Sequence, residues 1–553
     1  MATLFAAFKF IGILLEVVLI FNLLIIVHEL GHFLAAKWRG LYIEGFGIWF
    51  GKPIWKKKIN GVTYSLGCIP AGGFVKLPQL APMEALEGQT EIPKDQLKPI
   101  SALDKIIVAF AGPLFSFMLA AVFAVIVWQI GKPMGEQEST RVVGMLEKDS
   151  PAEKAGLLPG DEILEVDGQP VERFMGMNRD SIMWNIVRSE GATIKLHIRR
   201  GAEMKDIEIT PRIPGTKAWE RSGTRQIGYR PALTPLVAKV EPGSAMAKAG
   251  VQKNDFITAI NGQPLYSPLG ISDYIRDHPG AEYKLTVERG AAKEIKELPF
   301  QPAGAVAANV QPDSPAEKAG LKKDDRVISV GGQKLLSSSA VVRFIEQHNT
   351  GPIAFVVERA GAEQKLTITP ALTSDVNDAA ITKPKIGVGF DDHDGLTLDG
   401  YGRGQVRYPT PGEQLSTSAM SIFNTVAAIS SRKSDVKLQH MGGPITMMRI
   451  YYQLFGQENG WKLALWFSVL INVNLAMLNM LPIPVLDGGH ITLALIEAVR
   501  RKPVNVRVLE WVQTAAALLV IGFMLYITFF DAQDLFGGKG NKFRPAAPPA
   551  QQK

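Results

Sequence analysis

Cysteine is almost missing from this chain: among 553 residues the one cysteine is Cys68. No intramolecular disulfide can form, and the lone thiol leaves the redox compartment open. Charge is missing from long stretches as well. Ile106–Ile130, Leu463–Leu486 and Trp511–Phe530 contain no Asp, Glu, Lys or Arg. Such runs exclude surface helices of a soluble domain, which need a polar face, and match the roughly 20 apolar residues that cross a bilayer. Elsewhere the composition is ordinary. With 20% charged residues and a mean hydropathy of +0.09, it fits membrane spans joined to soluble modules. The formal charge of +7 calls for no nucleic-acid partner, because its clusters lie where membrane topology would place them. The length requires more than one domain.

A fourth apolar stretch runs from Phe10 to Ala36. It is too long for a secretory signal and shows no A-x-A cleavage site, so it is expected to be retained. Basic residues orient the spans. Lys37, Arg39, Lys52, Lys56, Lys57 and Lys58 follow the first, and Arg500, Arg501, Lys502 and Arg507 separate the third from the fourth. Both clusters read as cytoplasmic, which puts the long segment after Gly131 outside. The expected fold class is a multi-pass α-helical membrane protein with four transmembrane helices and α+β modules outside. The expected divisions are spans at 1–37, 103–131, 461–487 and 509–531, and loops at 38–102 and 488–508. Outside lie three repeats at 132–213, 214–302 and 303–374, then a linker at 375–460 holding amphipathic helices near Gln414–Ile429 and Gly442–Phe455. A disordered tail at 532–553 closes the chain.

The first span holds His28-Glu29-Leu30-Gly31-His32. Histidines at i and i+4 share one helix face, about one turn apart, so both imidazoles can reach a single metal ion. A glutamate beside the first is placed to deprotonate a bound water, and H-E-x-x-H is the signature of zinc hydrolases. At hydrocarbon depth each charged group costs about 2–3 kcal/mol or more unless it is paired, metal-bound or wet. The same three residue types in a soluble helix could be a chance match; here that reading is disfavoured. Between the first two spans, Gly45–Leu77 is rich in Gly and β-formers, and Asn60-Gly61 suits a tight hairpin turn. Strands this near a bilayer must hide their backbone against protein or a wet cavity, so a small sheet folded back toward the histidines is predicted, with Cys68 a small buried residue within it.

Three internal repeats follow. Ser150-Pro151-Ala152-Glu153-Lys154-Ala155-Gly156 precedes Gly160-Asp161 and a strand ending at Asp167-Gly168; Ser244–Gly250 precedes Asn254-Asp255 and Asn261-Gly262; Ser314–Gly320 precedes Asp324-Asp325 and Gly331-Gly332. Each reads as a Ser-started short helix, a Gly-ended turn, an alternating strand and a turn glycine. The pattern resembles the PDZ domain, which implies binding of an extended external peptide by strand addition. No G-L-G-F loop is recognisable beside any copy, and closed grooves serving as spacers are the alternative.

A zinc hydrolase takes three protein ligands and leaves one position for water. No third His or Glu follows in the first span. The candidate is Asp487, the first acidic residue after the uncharged third span, where Pro482 and Pro484 break the helix and Gly488-Gly489 admit close backbone approach. Asn474 and Asn479 are amides in that span, suited to a substrate backbone, an oxyanion or an inter-helix bridge. His490 is either a supporting group or a spare ligand.

Together, His28-Glu29-x-x-His32, Pro70-x-Gly72-Gly73, the PDZ-like repeats and Asn479-x-x-Pro482-x-x-x-x-Asp487-Gly488 resemble the site-2 proteases, zinc metalloendopeptidases that work inside membranes. The resemblance implies Zn2+ held by His28, His32 and Asp487, with Glu29 as general base. It implies that Asn474, Asn479, Gly72 and Gly73 handle substrate, and that Gly45–Leu77 is a membrane-reentrant β element. Expected substrates are single-pass membrane proteins of anti-sigma-factor type and remnant signal peptides, cut toward the cytoplasmic side of the bilayer. Members of this kind usually carry two PDZ modules and this chain shows three. A catalytically silent PDZ scaffold and a zinc transporter are the competing readings, and neither gives Glu29 a role.

Overall fold

The computed structural model describes residues 2–80, 97, 100–216, 219–278, 280, 282–302, 304–335, 337–348, 351–374, 382–391, 394–400, 402–457, 459–501, 504 and 506–536. The expected tail beyond Phe536 falls outside these. Four helices are long and apolar enough to cross a membrane: Phe10–Arg39 within α1 (Ala2–Arg39), α2 (Ala102–Ile130), Gly460–Asn479, and Val508–Leu535. The first two are tied at one end. Ser101 caps α2 by accepting from the Asp104 N–H, and Asp104 also receives Nε of Arg39 at 2.6 Å. They also approach closely at Gly31, where a β-carbon would lie 2.4 Å from the carbonyl oxygen of Ala111. The second span is the hub, packed against the first span, the third span and the helix that follows it.

The segment after α1 folds as predicted into strands, β1 (Gly45–Ile59) and β2 (Val62–Lys76), turning at Asn60-Gly61 where both residues have positive φ, 49° and 87°. Both strands bend, so that Gly45–Ile48 lies between two stretches of β2, Thr63–Leu66 and Gly73–Lys76. Among the described residues no strand pairs with the outer edge of Gly73–Lys76. Cys68 is exposed rather than buried, because it falls at the irregular bend where β2 leaves one side of β1 for the other.

The repeats form around three separate apolar cores, with a four-stranded and a two-stranded sheet in the first and one six-stranded sheet in each of the others. In each, the aspartate of the repeated motif is almost fully buried and takes a forked Arg: Asp161 with Arg200, Asp255 with Arg289, Asp325 with Arg359. The same carboxylates accept the backbone N–H three residues earlier, at 2.8 Å, which fixes the turn before each strand. The closing strand of every repeat lies at its C-terminal side. Tyr229–Pro231 pairs with Val143–Leu146, Val388–Phe390 with Ala305–Val310, and Leu396–Asp399 with Leu236–Val240. The third repeat is therefore inserted within the second, before the latter's last strand. Sheet-forming residues consequently extend past the divisions expected at 213, 302 and 374. Part of the 375–460 segment read as linker supplies two of these strands.

Each closing strand follows a glycine of positive φ, Gly228, Gly387 or Gly395, packed on the serine that starts the repeat's short helix. A β-carbon there would come within 2.4, 2.3 and 2.2 Å of Ser150, Ser314 and Ser244, so only glycine fits. Each repeat also packs one longer helix into its core, α3 (Ile182–Arg188), α4 (Gly270–Asp277) and α5 (Ser338–Gln347).

After the repeats come α6 (Pro411–Ser430) and α7 (Pro444–Phe455), then the third span α8 (Gly460–Asn479). The chain breaks at Met480–Leu486, where Pro482 and Pro484 supply no N–H, and resumes as α9 (Asp487–Arg500). This corrects the expectation of a span to 487 and a loop from 488. The close approach read for Gly488 and Gly489 is made from inside a helix, which the glycine pair alone did not signal. A β-carbon on either would lie 2.2 Å from the Met480 oxygen or 2.1 Å from the Ile483 oxygen. The last helix is α10 (Val506–Phe536). Near its end, buried Asp531 accepts the N–H groups of Gly443 and Thr446 and pairs with Arg221 at 3.2 Å, tying the first repeat's connecting loop to the membrane helices.

Candidate metal centre

His28 and His32 project from one face of α1, as their spacing requires, and Asp487 meets them from the start of α9. One ligand atom from each lies within 4.8 Å of the others. Nε2 of His28 is 3.2 Å and Nε2 of His32 is 3.3 Å from the Asp487 oxygens, and the two Nε2 atoms are 3.3 Å apart. Both Nδ1 atoms are engaged by α2: His32 with the carbonyl of Val108 at 2.8 Å, His28 with the hydroxyl of Ser116 at 3.0 Å. A carbonyl can only accept, so His32 carries its proton on Nδ1 and, when neutral, turns the lone pair of Nε2 inward. That lone pair faces a carboxylate and a second imidazole. Three acceptors at such distances repel unless a cation, either a proton or a metal ion, lies among them. Asp487 Oδ2 is buried and has no hydrogen-bond partner although His28 is near, which is the condition of a ligand atom awaiting its ion. Two imidazoles and one carboxylate form a zinc donor set that leaves a coordination position free. The residues fit the metal.

The centre opens into a cavity of about 630 Å³ lined by Glu29, Phe50, Gly73, Val75, Asn479 and His490 among others. Glu29 stands beside the histidines, with the backbone of Val75 against its carboxylate. Gly73–Val75, which no other strand covers on its outer side among the described residues, thus forms one wall of the cavity. Asn479 brings its amide nitrogen 3.3 Å from His28 Nε2. Among the residues singled out from sequence, His28, Glu29, His32, Gly73, Asn479, Asp487 and His490 converge on this cavity. Gly72 and Asn474 are not among its lining residues. Gly72 has φ +80° with a β-carbon position 1.9 Å from the Phe50 ring, so it shapes the strand that carries Gly73. Asn474 lies more than one turn before Asn479 on α8, and its buried side-chain oxygen has no hydrogen-bond partner.

Sequence reasoning missed the contribution of α2. Val108 and Ser116 orient the imidazoles, and Gly112 makes room for them: a β-carbon there would lie 2.2 Å from His32 Nε2 and 2.9 Å from His28 Nε2. The available signal was Gly112-Pro113 inside an uncharged span, followed by Ser116. Pro113 has no N–H for the carbonyl of Ala109, the residue next to Val108.

Paired histidines and an adjacent glutamate on a helix of membrane-spanning length, met by a distant carboxylate from the helix that follows the third span, define a metallopeptidase-type centre. The comparison with known proteins agrees: the pattern of Peptidase family M50 matches residues 16–523, and the chain belongs to that family, the site-2 proteases. It is 26% identical to the regulator of sigma-E protease RseP of Escherichia coli, over 95% of this chain and 99% of that one. A Vibrio cholerae protein named as a zinc metalloprotease is 27% identical over 92% of this chain and 96% of its own. Among solved structures, the PDZ domain of an SdrC-like protein from Listeria monocytogenes matches 16% of this chain and 90% of that one, at 21% identity and a TM-score of 0.14. The chain is a metalloprotease.

Proposed function

We propose that this protein cleaves the membrane-spanning segment of single-pass proteins, using zinc held by His28, His32 and Asp487. One observation carries the reading: the convergent acceptors and Glu29 open into a cavity walled by an unpaired strand edge. When bound, zinc supplies a Lewis acid for the scissile carbonyl and lowers the pKa of a coordinated water toward about 7. Glu29 takes the proton of the attacking water and returns it to the leaving amine. A helical substrate hides its carbonyls in its own hydrogen bonds and must unwind before attack. The outer edge of Gly73–Val75, which no other strand covers among the described residues, offers replacement partners in strand register, and the Asn479 amide supplies a further polar contact beside the metal.

The charge pattern supports a cytoplasmic placement for the metal end of the spans and an external placement for the repeats. The glycine loops before the closing strands, Ile227-Gly228-Tyr229, Ile386-Gly387-Val388 and Asp394-Gly395-Leu396, stand where a PDZ domain receives a peptide terminus, which favours recognition of ends left by a previous external cut. Likeness to the sigma-E regulators favours membrane anti-sigma proteins and remnant signal peptides as substrates. The deciding experiment incubates purified protein and its Glu29→Gln variant with single-pass helices. Cleavage by the parent, with none by the variant at equal zinc content, is the expected result. Cleavage retained in the variant would overturn the mechanism.

A further inference from the structure

A second cavity, of about 360 Å³, lies where the first repeat meets α6, within the size range of small-ligand sites, roughly 300–1,000 Å³. Helix α6 shows at which level of the molecule it sits. Its protein-facing stripe is polar, with Gln414, Ser418, Ser421 and Asn424 buried, while Met420, Phe423 and Val426 are more than half exposed. A helix in water has the opposite arrangement. An outward apolar face belongs in lipid, so α6 lies at the bilayer boundary on the side of the repeats. Asn424 lines the cavity, and Trp184 of α3 packs beside it on Ala428 and Val436. The cavity is therefore at headgroup level.

Its charged groups are balanced and unevenly engaged. Arg179 and Arg188 line it, and among the described residues neither guanidinium has an ion-pair or hydrogen-bond partner. Two carboxylates also line it, but both accept from protein groups: Asp167 from the Ser189 hydroxyl at 2.7 Å and the Lys195 N–H at 2.8 Å, Glu190 from the Ser431 hydroxyl. Asn185, which is buried, donates to the carbonyls of Arg179 and Ser181 at 2.6 and 3.0 Å. Its side-chain oxygen is buried and receives no donor. The cavity thus offers two free cations, negative charge held nearby and one acceptor awaiting an N–H or O–H.

We propose that this cavity binds a zwitterionic phosphoethanolamine headgroup of a bilayer lipid. Guanidinium forks match phosphate oxygens, which places the phosphodiester between Arg179 and Arg188. The ammonium donates to Asn185 Oδ1, with Asp167 and Glu190 balancing its charge. A choline headgroup has no N–H to offer this oxygen. A phosphoglycerol headgroup brings a net negative charge into a lining whose formal charges cancel. Bound there, the lipid would bridge the first repeat and α6.

The test is native mass spectrometry of the full chain in mild detergent, offered equal amounts of phosphatidylethanolamine, phosphatidylcholine and phosphatidylglycerol. One phosphatidylethanolamine is expected to be retained about tenfold over either competitor, the discrimination of one charge-assisted hydrogen bond. Arg188→Ala, at a half-exposed position, is expected to abolish the preference without changing the circular dichroism. Asn185→Leu, where it folds, is expected to bring ethanolamine down to the choline level. Equal retention of ethanolamine and choline lipids, preference for phosphatidylglycerol, or an unchanged preference in either folded variant would overturn the proposal. So would displacement of the lipid by equimolar inorganic phosphate or soluble phosphoethanolamine, which would make the source a free anion or metabolite.

Discussion

Gly112 has no side chain, yet the geometry makes it decisive for metal binding. In Gly112→Ala the new methyl would sit 2.2 Å from Nε2 and 2.4 Å from Cε1 of His32, and 2.9 Å from Nε2 of His28. Ordinary contact would require the His32 ring to retreat by about 1 Å. It cannot retreat freely, because its Nδ1 is bound to the Val108 carbonyl at 2.8 Å, and α1 cannot withdraw without opening the contact at Gly31. Metal–ligand distances tolerate only about 0.2 Å. Loss of a group that merely orients a ligand costs about 10–100-fold in metal affinity, and displacement of two ligands should reach or exceed the upper figure. The helix itself should persist, since alanine is favoured over glycine in a helix interior by about 1 kcal/mol. The assay is zinc retained per chain after dialysis against graded chelator, measured beside cleavage of a single-pass helix and circular dichroism. A folded Gly112→Ala protein that keeps parental zinc affinity and parental cleavage would refute the reasoning.

Gly73→Val should lower the rate of cleavage by at least about tenfold while zinc retention stays at the parental level, because its β-carbon position is 3.2 Å from Glu29 Cγ and the metal ligands are not touched. Exhaustive chelation should abolish cleavage and zinc should restore it, and activity surviving chelation would exclude the metal route. In the third repeat, Arg359→Leu leaves the buried Asp325 carboxylate without its guanidinium, which should lower the stability of that repeat, read as a lower urea midpoint and faster local hydrogen exchange. Burial raises the Asp325 pKa, but the Arg359 guanidinium and the Lys322 N–H outweigh it, so the carboxyl lies below its usual value. Its contribution is therefore present at neutral pH and lost as pH falls through that depressed value, an acid sensitivity that Arg359→Leu should weaken. Substrates with Pro or Gly near the cut should be cleaved faster than poly-Leu helices of equal length, and equal rates would argue against unwinding as a required step.

The three-copy repeat was legible as sequence, but its boundaries were not. The glycine that precedes each closing strand lies at the far end of the repeat, and for the second copy it follows an entire inserted third copy. Strand pairing ignores chain order, so no local pattern marks which glycine closes which sheet. The break at Pro482 and Pro484 was equally visible, whereas the helical fate of Asp487–Arg500 depended on Gly488 and Gly489 packing under the turn that precedes them.

The chain by itself determined the spans, the charge asymmetry of the loops between them and the histidine pair on one face, because hydrocarbon length and helical period are local properties. It also named Asp487, since an uncharged span makes the first acid after it conspicuous. Only the tertiary structure showed that α2 stands behind both imidazoles, that Asn479 and Gly73 reach the cavity while Asn474 and Gly72 do not, and that one edge of the small sheet is left open beside Glu29. Those outcomes follow from helix packing and strand bending between segments far apart in sequence, where a single absent methyl decides what can meet.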